Sequence, residues 1–405
     1  MSIQILCPDY VQTVLAALQS AGHKAYIVGG CVRDSLLGKV PADWDVTTSA
    51  LPEQTEQAAA AVGLKTFRTG IKHGTVSVLC EGVTVECTTF RIDGDYKDSR
   101  HPESVRFTPS LEQDLARRDF TINAMAATRG TDGWEIIDPF DGQKDLQAGM
   151  IRCVGNPIKR FGEDALRMLR GVRFAARFGF IIEDKTANAM YACAGGLKSI
   201  SRERVREELI GMLKSPDPEG AIKTLKRRGL LKFVFPYADV TASARGLNQT
   251  SADSPLFRLA YLLYDAIDDA VQKTTADLKL SGADAGYVRT LLALRGEALQ
   301  STPLFARQMI AKYGKDSIPA LALRKVKGED TTALSDTVAE QLACGACVSI
   351  SELAVKGADL SGIGIPKGRE MGAVLGALLD EVMKDPTLNR KETLLALAKQ
   401  IYKEK

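Results

Sequence analysis

A short apolar run that ends in two glycines constrains this chain more than any other feature. Residues 24–45 read Lys-Ala-Tyr-Ile-Val-Gly-Gly-Cys-Val-Arg-Asp-Ser-Leu-Leu-Gly-Lys-Val-Pro-Ala-Asp-Trp-Asp. Lys24 to Val28 predicts a buried strand, and Gly29-Gly30 ends it where residues without a Cβ permit a tight backbone approach. Cys31 to Leu37 predicts a helix start, so its free N–H groups and the Arg33 side chain face whatever lies over the glycines. A phosphate suits such a corner. Asp43 and Asp45 follow, two apart. In a strand over 43–47 both carboxylates share one face. Their mutual repulsion is relieved by a divalent cation. An ordinary turn and an ordinary surface strand are the alternatives; together the two features point to nucleotide chemistry.

From Gly29 to Gly38, and again at Asp43 and Asp45, the string resembles the signature of the class II tRNA nucleotidyltransferase and poly(A) polymerase family. That pattern is a strand, then G-G-x-V-R-D-x-L-L-G, then D-x-D. The resemblance implies an α+β chain. A polymerase-β-like nucleotidyltransferase head, built on a mixed sheet with helices, is expected over residues 1–150. An all-α neck follows over 151–237, then an all-α body and tail over 238–405. The likeness is greatest to bacterial CCA-adding enzymes without a phosphohydrolase domain, because the H-D pair and further histidines of such a domain are absent.

Composition narrows the classes. At 405 residues the chain exceeds one compact core and predicts several modules. Charged residues at 25% and hydrophobic ones at 45% describe an ordinary globular protein rather than a disordered one. The net charge of +3 is small, so any nucleic-acid footprint must be a local cluster. No apolar run is long enough for a bilayer, and the N-terminal residues lack a basic-then-apolar targeting pattern. Eight scattered cysteines fit the reduced thiols of a cytoplasmic protein. The lone C-x-x-C at Cys344 and Cys347 reads as packing. Only three histidines exist, which excludes a multi-histidine metal centre.

Residues 5–21 predict an amphipathic helix with Val11, Val14, Leu15 and Leu18 on one stripe. Ser49 reads as the cap of a helix with Pro52 in its first turn. Period-two alternation over Thr75–Cys80 and Val83–Phe90, around Glu81-Gly82, predicts a hairpin. If its second strand lies beside that of Asp43 and Asp45, Glu86 becomes a third carboxylate of the site. The family's V-E-x-T-T-F-R pattern implies that role. Residues 91–102 are polar and without periodicity, so a mobile loop is expected. Arg91, Asp93, Tyr96, Asp98, Arg100 and Pro102 match the flexible loop of CCA-adding enzymes. Asp114 to Ala126 resembles the family's D-L-x-R-R-D-F-T-I-N-A string. Its arginine forks suit phosphate, while Asp119 and Asn123 suit hydroxyls, with Arg118 the favoured nucleotide ligand. A buried ion-pair network is the other possibility. Residues 137–146 read as a turn that closes the first domain.

After Ile151 the pattern is helical. Phe161 to Arg177 predicts one helix with Leu166, Leu169, Val172, Ala175 and Ala176 buried and Asp164, Arg167, Arg170 and Arg173 exposed. Asp164 and Arg167 could form an ordinary i, i+3 ion pair. Side by side they could instead read a base: Asp164 accepts from an amino group while Arg167 donates to the neighbouring ring nitrogen. That order complements cytosine and adenine and opposes guanine and uracil. The family places a protein template for C and A at this E-D-x-x-R match, Glu163, Asp164 and Arg167. Arg170 and Arg173 would reach triphosphate or primer. Residues 198–232 hold ten Lys and Arg against five Asp and Glu, which suits an RNA backbone. Residues 238–405 predict helices near 256–267, 288–294, 371–382 and 394–402.

The resemblance therefore implies a Mg²⁺-dependent enzyme with CTP, ATP and tRNA as substrates, Asp43 and Asp45 as metal ligands and Glu86 as their catalytic partner. Gly29, Gly30, Arg33, Arg118, Asp119, Asn123, Asp164, Arg167, Arg170 and Arg173 would bind nucleotide. Within the family, A-adding, CC-adding and poly(A)-adding enzymes are alternatives. Ala165 stands where poly(A) polymerases commonly have Pro, and CC-adding enzymes typically lack the loop arginines. A non-catalytic RNA-binding homologue is the rival from another class, but it would have lost a metal carboxylate, and none is missing.

Overall fold

The computed structural model describes residues 5–94, 105–131, 133–251 and 253–403. The chain divides into two compact units: Met1–Asn248 with Asp277–Lys279, and Gln249–Ala276 with Leu280–Lys405. The first unit takes in both the expected head and the expected neck.

The head is a seven-stranded mixed sheet. Its strands are β1 (Ala25–Val28), β2 (Asp45–Thr48), β3 (Lys65–Gly70), β4 (Thr75–Cys80), β5 (Val83–Thr89), β8 (Ala126–Gly130) and β9 (Gly133–Ile137). The order is β3-β4-β5-β2-β1-β8-β9, and β2–β5 is its one parallel pair. A separate ribbon pairs β6 (Arg91–Asp93) with β7 (Val105–Phe107). Period two sorts the centre of the sheet into two faces. Val46, Val76, Val78, Val85 and Cys87 are buried, and α1 (Asp9–Ser20) and α3 (Pro52–Ala61) pack over that part of the sheet. Ser77, Glu86 and Asp45 stand in register across three strands on the other face.

Several local readings are met. Glu81 and Gly82, at φ 52° and 78°, make the tight turn of the β4–β5 hairpin. Helix α1 buries Val11, Val14, Leu15 and Leu18 as expected. Ser49 does not cap α3. Its hydroxyl accepts from the Lys24 N–H, and the Gln54 side chain caps the Leu51 N–H instead. Asp138 caps α5 (Gly142–Gln147) by accepting from the Gly142 and Gln143 N–H groups. Tyr96, Asp98, Arg100 and Pro102 lie outside the described residues.

The neck is helical, with one short parallel pair, β10 (Met150–Ile151) and β11 (Ile181–Ile182). Phe161–Arg177 is not one helix. Helix α6 (Pro157–Glu163) stops at Asp164, whose φ of −144° and ψ of 104° are extended. The Asp164 carboxylate then accepts from the Leu166 N–H at the start of α7 (Leu166–Phe178). An aspartate prefers capping to a helix interior, which is why the break falls there. Arg167 is buried rather than exposed. Helix α9 (Arg202–Leu213) packs on α7 so closely that a Cβ at Gly211 would lie 2.3 Å from Cδ of Arg173.

The second unit is all helical among the described residues. Its helices include Pro255–Leu262, Gly282–Leu292, Arg369–Lys384 and Lys391–Lys403. Val355, Leu360, Val374, Leu378, Val382 and Leu394 form a core that Cys347 joins, while Cys344 is exposed. Both cysteines are free, and no metal cluster forms there among the described residues.

Candidate active site

The site is built at the end of β1. Gly29 has φ 80° and ψ −122°, a conformation open to glycine alone, and it turns the chain into α2 (Gly30–Leu36). A Cβ there would lie 2.8 Å from Nη1 of Arg118, so the arginine rests directly on the bare backbone of Gly29. Arg118 is partly accessible, yet its Nε is buried without a hydrogen-bond partner. Burial lowers its basicity, and Asp114, Asp45 and Asp119 counter this by attraction. The guanidinium thus offers unspent donors beside the glycine corner.

Asp45 opens β2, and Asp43 precedes it with the buried Trp44 between them. Both aspartates are exposed, but the strand expected over 43–47 begins only at Asp45, so Asp43 lies in the segment before it. Strand β5 lies parallel to β2 with Glu86 beside Asp45, which meets the condition for a third carboxylate on that face. Asp45 has one face open to solvent and protein packed round the rest. That burial, reinforced by Asp43 and Glu86 and opposed by Arg118, pushes its carboxyl up to about 6. Among the described residues no group of three His, Cys, Asp or Glu side chains is placed to hold a metal ion by itself. Hard carboxylate oxygens in a half-open site fit Mg²⁺, which is usually held by one or two carboxylates plus substrate phosphates and water.

Arg33 turns inward. It is buried, pairs with Asp34 at 2.8 Å and donates to Asn123 Oδ1. Its guanidinium lies 5.3 and 4.9 Å from the Phe174 and Phe178 ring centres of α7. Its Nη2 still borders the corner, 3.6 Å from where a Cβ of Gly30 would stand. Asn123 donates to Asp119 at 3.1 Å, and Asp119 accepts from Arg170 of α7 at 2.7 Å. Asp34 is also 3.5 Å from Arg177 of α7. The ion-pair network foreseen as an alternative therefore exists, and it runs from α7 through α2 and back to α7. Burial pushes the Asp119 carboxyl up, but Arg170 and the Asn123 hydrogen bond outweigh it and hold it at about 2.

The proposed base readers do not pair with each other. Asp164 is bound by Arg204 of α9 at 2.7 Å, and Arg167 by Glu163 at 2.8 Å. Arg167 also donates to the carbonyl oxygens of Arg160 and Arg117. Arg173 pairs with Glu208 of α9 at 2.6 Å. Arg204 and Glu208, which lie in the basic stretch read from sequence as suited to an RNA backbone, thus belong to the supports of α7. Asp114 was also missed as a site element. Its signal was available: two arginines at i+3 and i+4 after the carboxylate.

Family models match in three places. The poly(A) polymerase head domain matches residues 25–152, the RNA and SrmB-binding site of polymerase A residues 179–241, and tRNA nucleotidyltransferase domain 2 residues 257–398. The chain is 34% identical to the CCA-adding enzyme of Lactiplantibacillus plantarum, with 97% of this chain and 96% of that one covered. It is 35% identical to that of Leuconostoc mesenteroides, covering 99% and 98%. The structure of the Bacillus stearothermophilus CCA-adding enzyme in complex with CTP superposes with a TM-score of 0.83 at 31% identity, covering 98% and 97%. The Thermotoga maritima enzyme complexed with tRNA shares the fold with a TM-score of 0.69 at 21% identity, covering 99% of each chain. Relatives this similar over nearly the whole length settle the matter: the chain belongs to the CCA-adding enzymes, nucleotidyltransferases of the poly(A) polymerase family.

Proposed function

We propose that this nucleotidyltransferase adds C, C and A to the 3′ end of tRNA from CTP and ATP, without a nucleic-acid template and with release of pyrophosphate. The observation that carries the reading is the parallel register of Asp45 with Glu86, beside a glycine corner over which Arg118 lies. It gathers carboxylates for a cation and donors for a triphosphate on one face.

Asp43 and Asp45 would hold Mg²⁺, with Glu86 beside them. The bound cation would neutralise charge on the transferring α-phosphoryl and lower the pKa of the primer 3′-hydroxyl. Arg118 grips the triphosphate through its unspent donors, and the glycines let the phosphates approach the backbone. Asp164 and Arg167 present acceptor and donor to the base edge, each oriented by its own counter-ion. Arg33, Asn123, Asp119 and Arg170 fix the reading helix relative to the corner, and Arg173 stands beside them on α7. The helices of residues 238–405, with the basic neck, would hold the tRNA. None of the described helices is long and apolar enough to cross a membrane, and all eight cysteines are free, which supports work in the cytoplasm.

The test uses tRNAs ending at the discriminator base, at C and at CC, each incubated with one nucleoside triphosphate. Cytidine should join the first two and adenosine the third, with uridine and guanosine excluded. Addition to the CC-ending tRNA alone would mark an A-adding enzyme, and extension past CCA with adenosine a poly(A) polymerase.

A further inference from the structure

We propose that Asp114 is a positioning residue that aims Arg118 over the glycine corner and ties it to the strand of Asp45 and the stem of the β6–β7 ribbon. The inference rests on the nucleotide-site reading given above. Asp114 lies on α4 (Leu111–Ala116) and has no exposed surface. Its Oδ2 accepts from the Thr47 hydroxyl at 3.1 Å and lies 3.7 Å from Nη2 of Arg118. Its Oδ1 accepts from Nε of Arg117 at 2.9 Å and from the Arg91 N–H at 3.2 Å.

The partners come from three segments of the site, with Arg117 and Arg118 adjacent at the end of α4. Thr47 is two residues beyond Asp45 on the same face of β2. Arg91 opens the ribbon whose other strand seats Phe107 against Gly74, where a Cβ would lie 2.6 Å from the ring. Arg117 turns its carbonyl oxygen to Arg167 at 3.2 Å. Both Asp114 oxygens are therefore engaged, Oδ1 by two hydrogen bonds and Oδ2 by one hydrogen bond and the Arg118 ion pair. A buried carboxylate tolerates this only while its cations stay close, and burial is here outweighed by Arg117 and Arg118, which hold the carboxyl below its usual range.

Arg118 depends on this contact. Among the described residues Asp114 is the one carboxylate within 4 Å of its guanidinium, and Nε has no partner. Without Asp114 the fork would be drawn toward Asp45 and Asp119, which attract it from further away. The arginine would then compete with the cation for Asp45 instead of facing the triphosphate.

The experiment measures CTP binding by calorimetry, and nucleotide and tRNA KM in turnover. Asp114→Asn keeps the shape and removes the charge. CTP Kd and the KM for both CTP and ATP should rise, on the order of 10- to 100-fold, with the KM for tRNA unchanged. Combined with Arg118→Lys it should be no worse than Arg118→Lys alone, because the two act as one unit. Should Asp114→Asn fail to fold, Thr47→Val removes a single hydrogen bond to the carboxylate and should raise CTP Kd several-fold. Loss of apparent kcat with Kd and KM unchanged, or full additivity with Arg118→Lys, would overturn the proposal. A wild-type enzyme that binds CTP yet adds nothing to tRNA would defeat the proposed function while leaving the Asp114 comparison decisive.

Discussion

The Asp164 carboxylate is held by Arg204, 40 residues further along the chain, and not by Arg167 one helical turn away. Arg167 has its own counter-ion in Glu163. Two separately anchored groups can face a base together, whereas a closed ion pair would satisfy itself. Arg167→Ala should therefore reduce preference for CTP over UTP, by on the order of tenfold or more, since a hydrogen bond to a charged group is worth about 1.5–3 kcal/mol. Glu163→Gln should give a smaller loss of the same kind. Mixed-nucleotide competition on one tRNA reads both, and unchanged base choice would remove α7 from recognition.

Removal of either aspartate tests the metal assignment. Asp43→Ala and Asp45→Ala should each abolish incorporation of C and A while tRNA retention on filters stays near wild type. Chelation by EDTA should reproduce the loss in the wild type, and added Mg²⁺ should reverse it. Normal turnover by either variant in Mg²⁺ would place the catalytic centre elsewhere.

Gly29 carries two demands that a substitution can separate. Its positive φ alone makes Gly29→Ala cost about 1–3 kcal/mol. The added Cβ also strikes Arg118. Gly22, at φ 86° with nothing within 4 Å of a Cβ, carries the conformational demand alone. Both alanine variants should melt earlier, but only Gly29→Ala should raise the KM for CTP. A matching rise in Gly22→Ala would mean that strain, rather than the arginine contact, is responsible.

Asp119 makes a pH prediction. Its carboxyl is held at about 2, below the ordinary aspartate value of 3.8, so the folded state binds fewer protons than the unfolded state between those values. Stability from this group is present above pH 3.8 and is lost as pH falls toward 2, by roughly 2 kcal/mol in all. Asp119→Asn should lower the melting temperature at pH 7 and flatten its fall in acid. Wild-type acid sensitivity in the variant would assign that loss to other carboxylates.

What the sequence determined was mostly local. The strand, the Gly29 corner and helix α2 follow from an apolar run, two residues without Cβ and a helix start. The hairpin follows from alternation around Glu81-Gly82, and α1 from its apolar stripe. Asp45 and Thr47 share a face of β2 because strand geometry has period two, whereas Asp43 lies in the segment before the strand. These features depend on backbone preferences that neighbouring residues set, so spacing alone reports them.

Only the tertiary structure decided which distant charges meet. Glu86 reaches Asp45 because β5 pairs with β2 in parallel, a register fixed by the sheet and not by either strand. Arg33, Arg118 and Arg167 take carboxylates within four residues, Asp34, Asp114 and Glu163, but no spacing names the carboxylates of Arg170 and Arg173. Arg170 takes Asp119 across 51 residues, and Arg173 takes Glu208 because α9 packs against α7. Asp164, which breaks the helix by its own capping bond, likewise finds its counter-ion in Arg204 of the adjoining helix. Ion pairing depends on distance in space and on burial, and both are set when the helices pack.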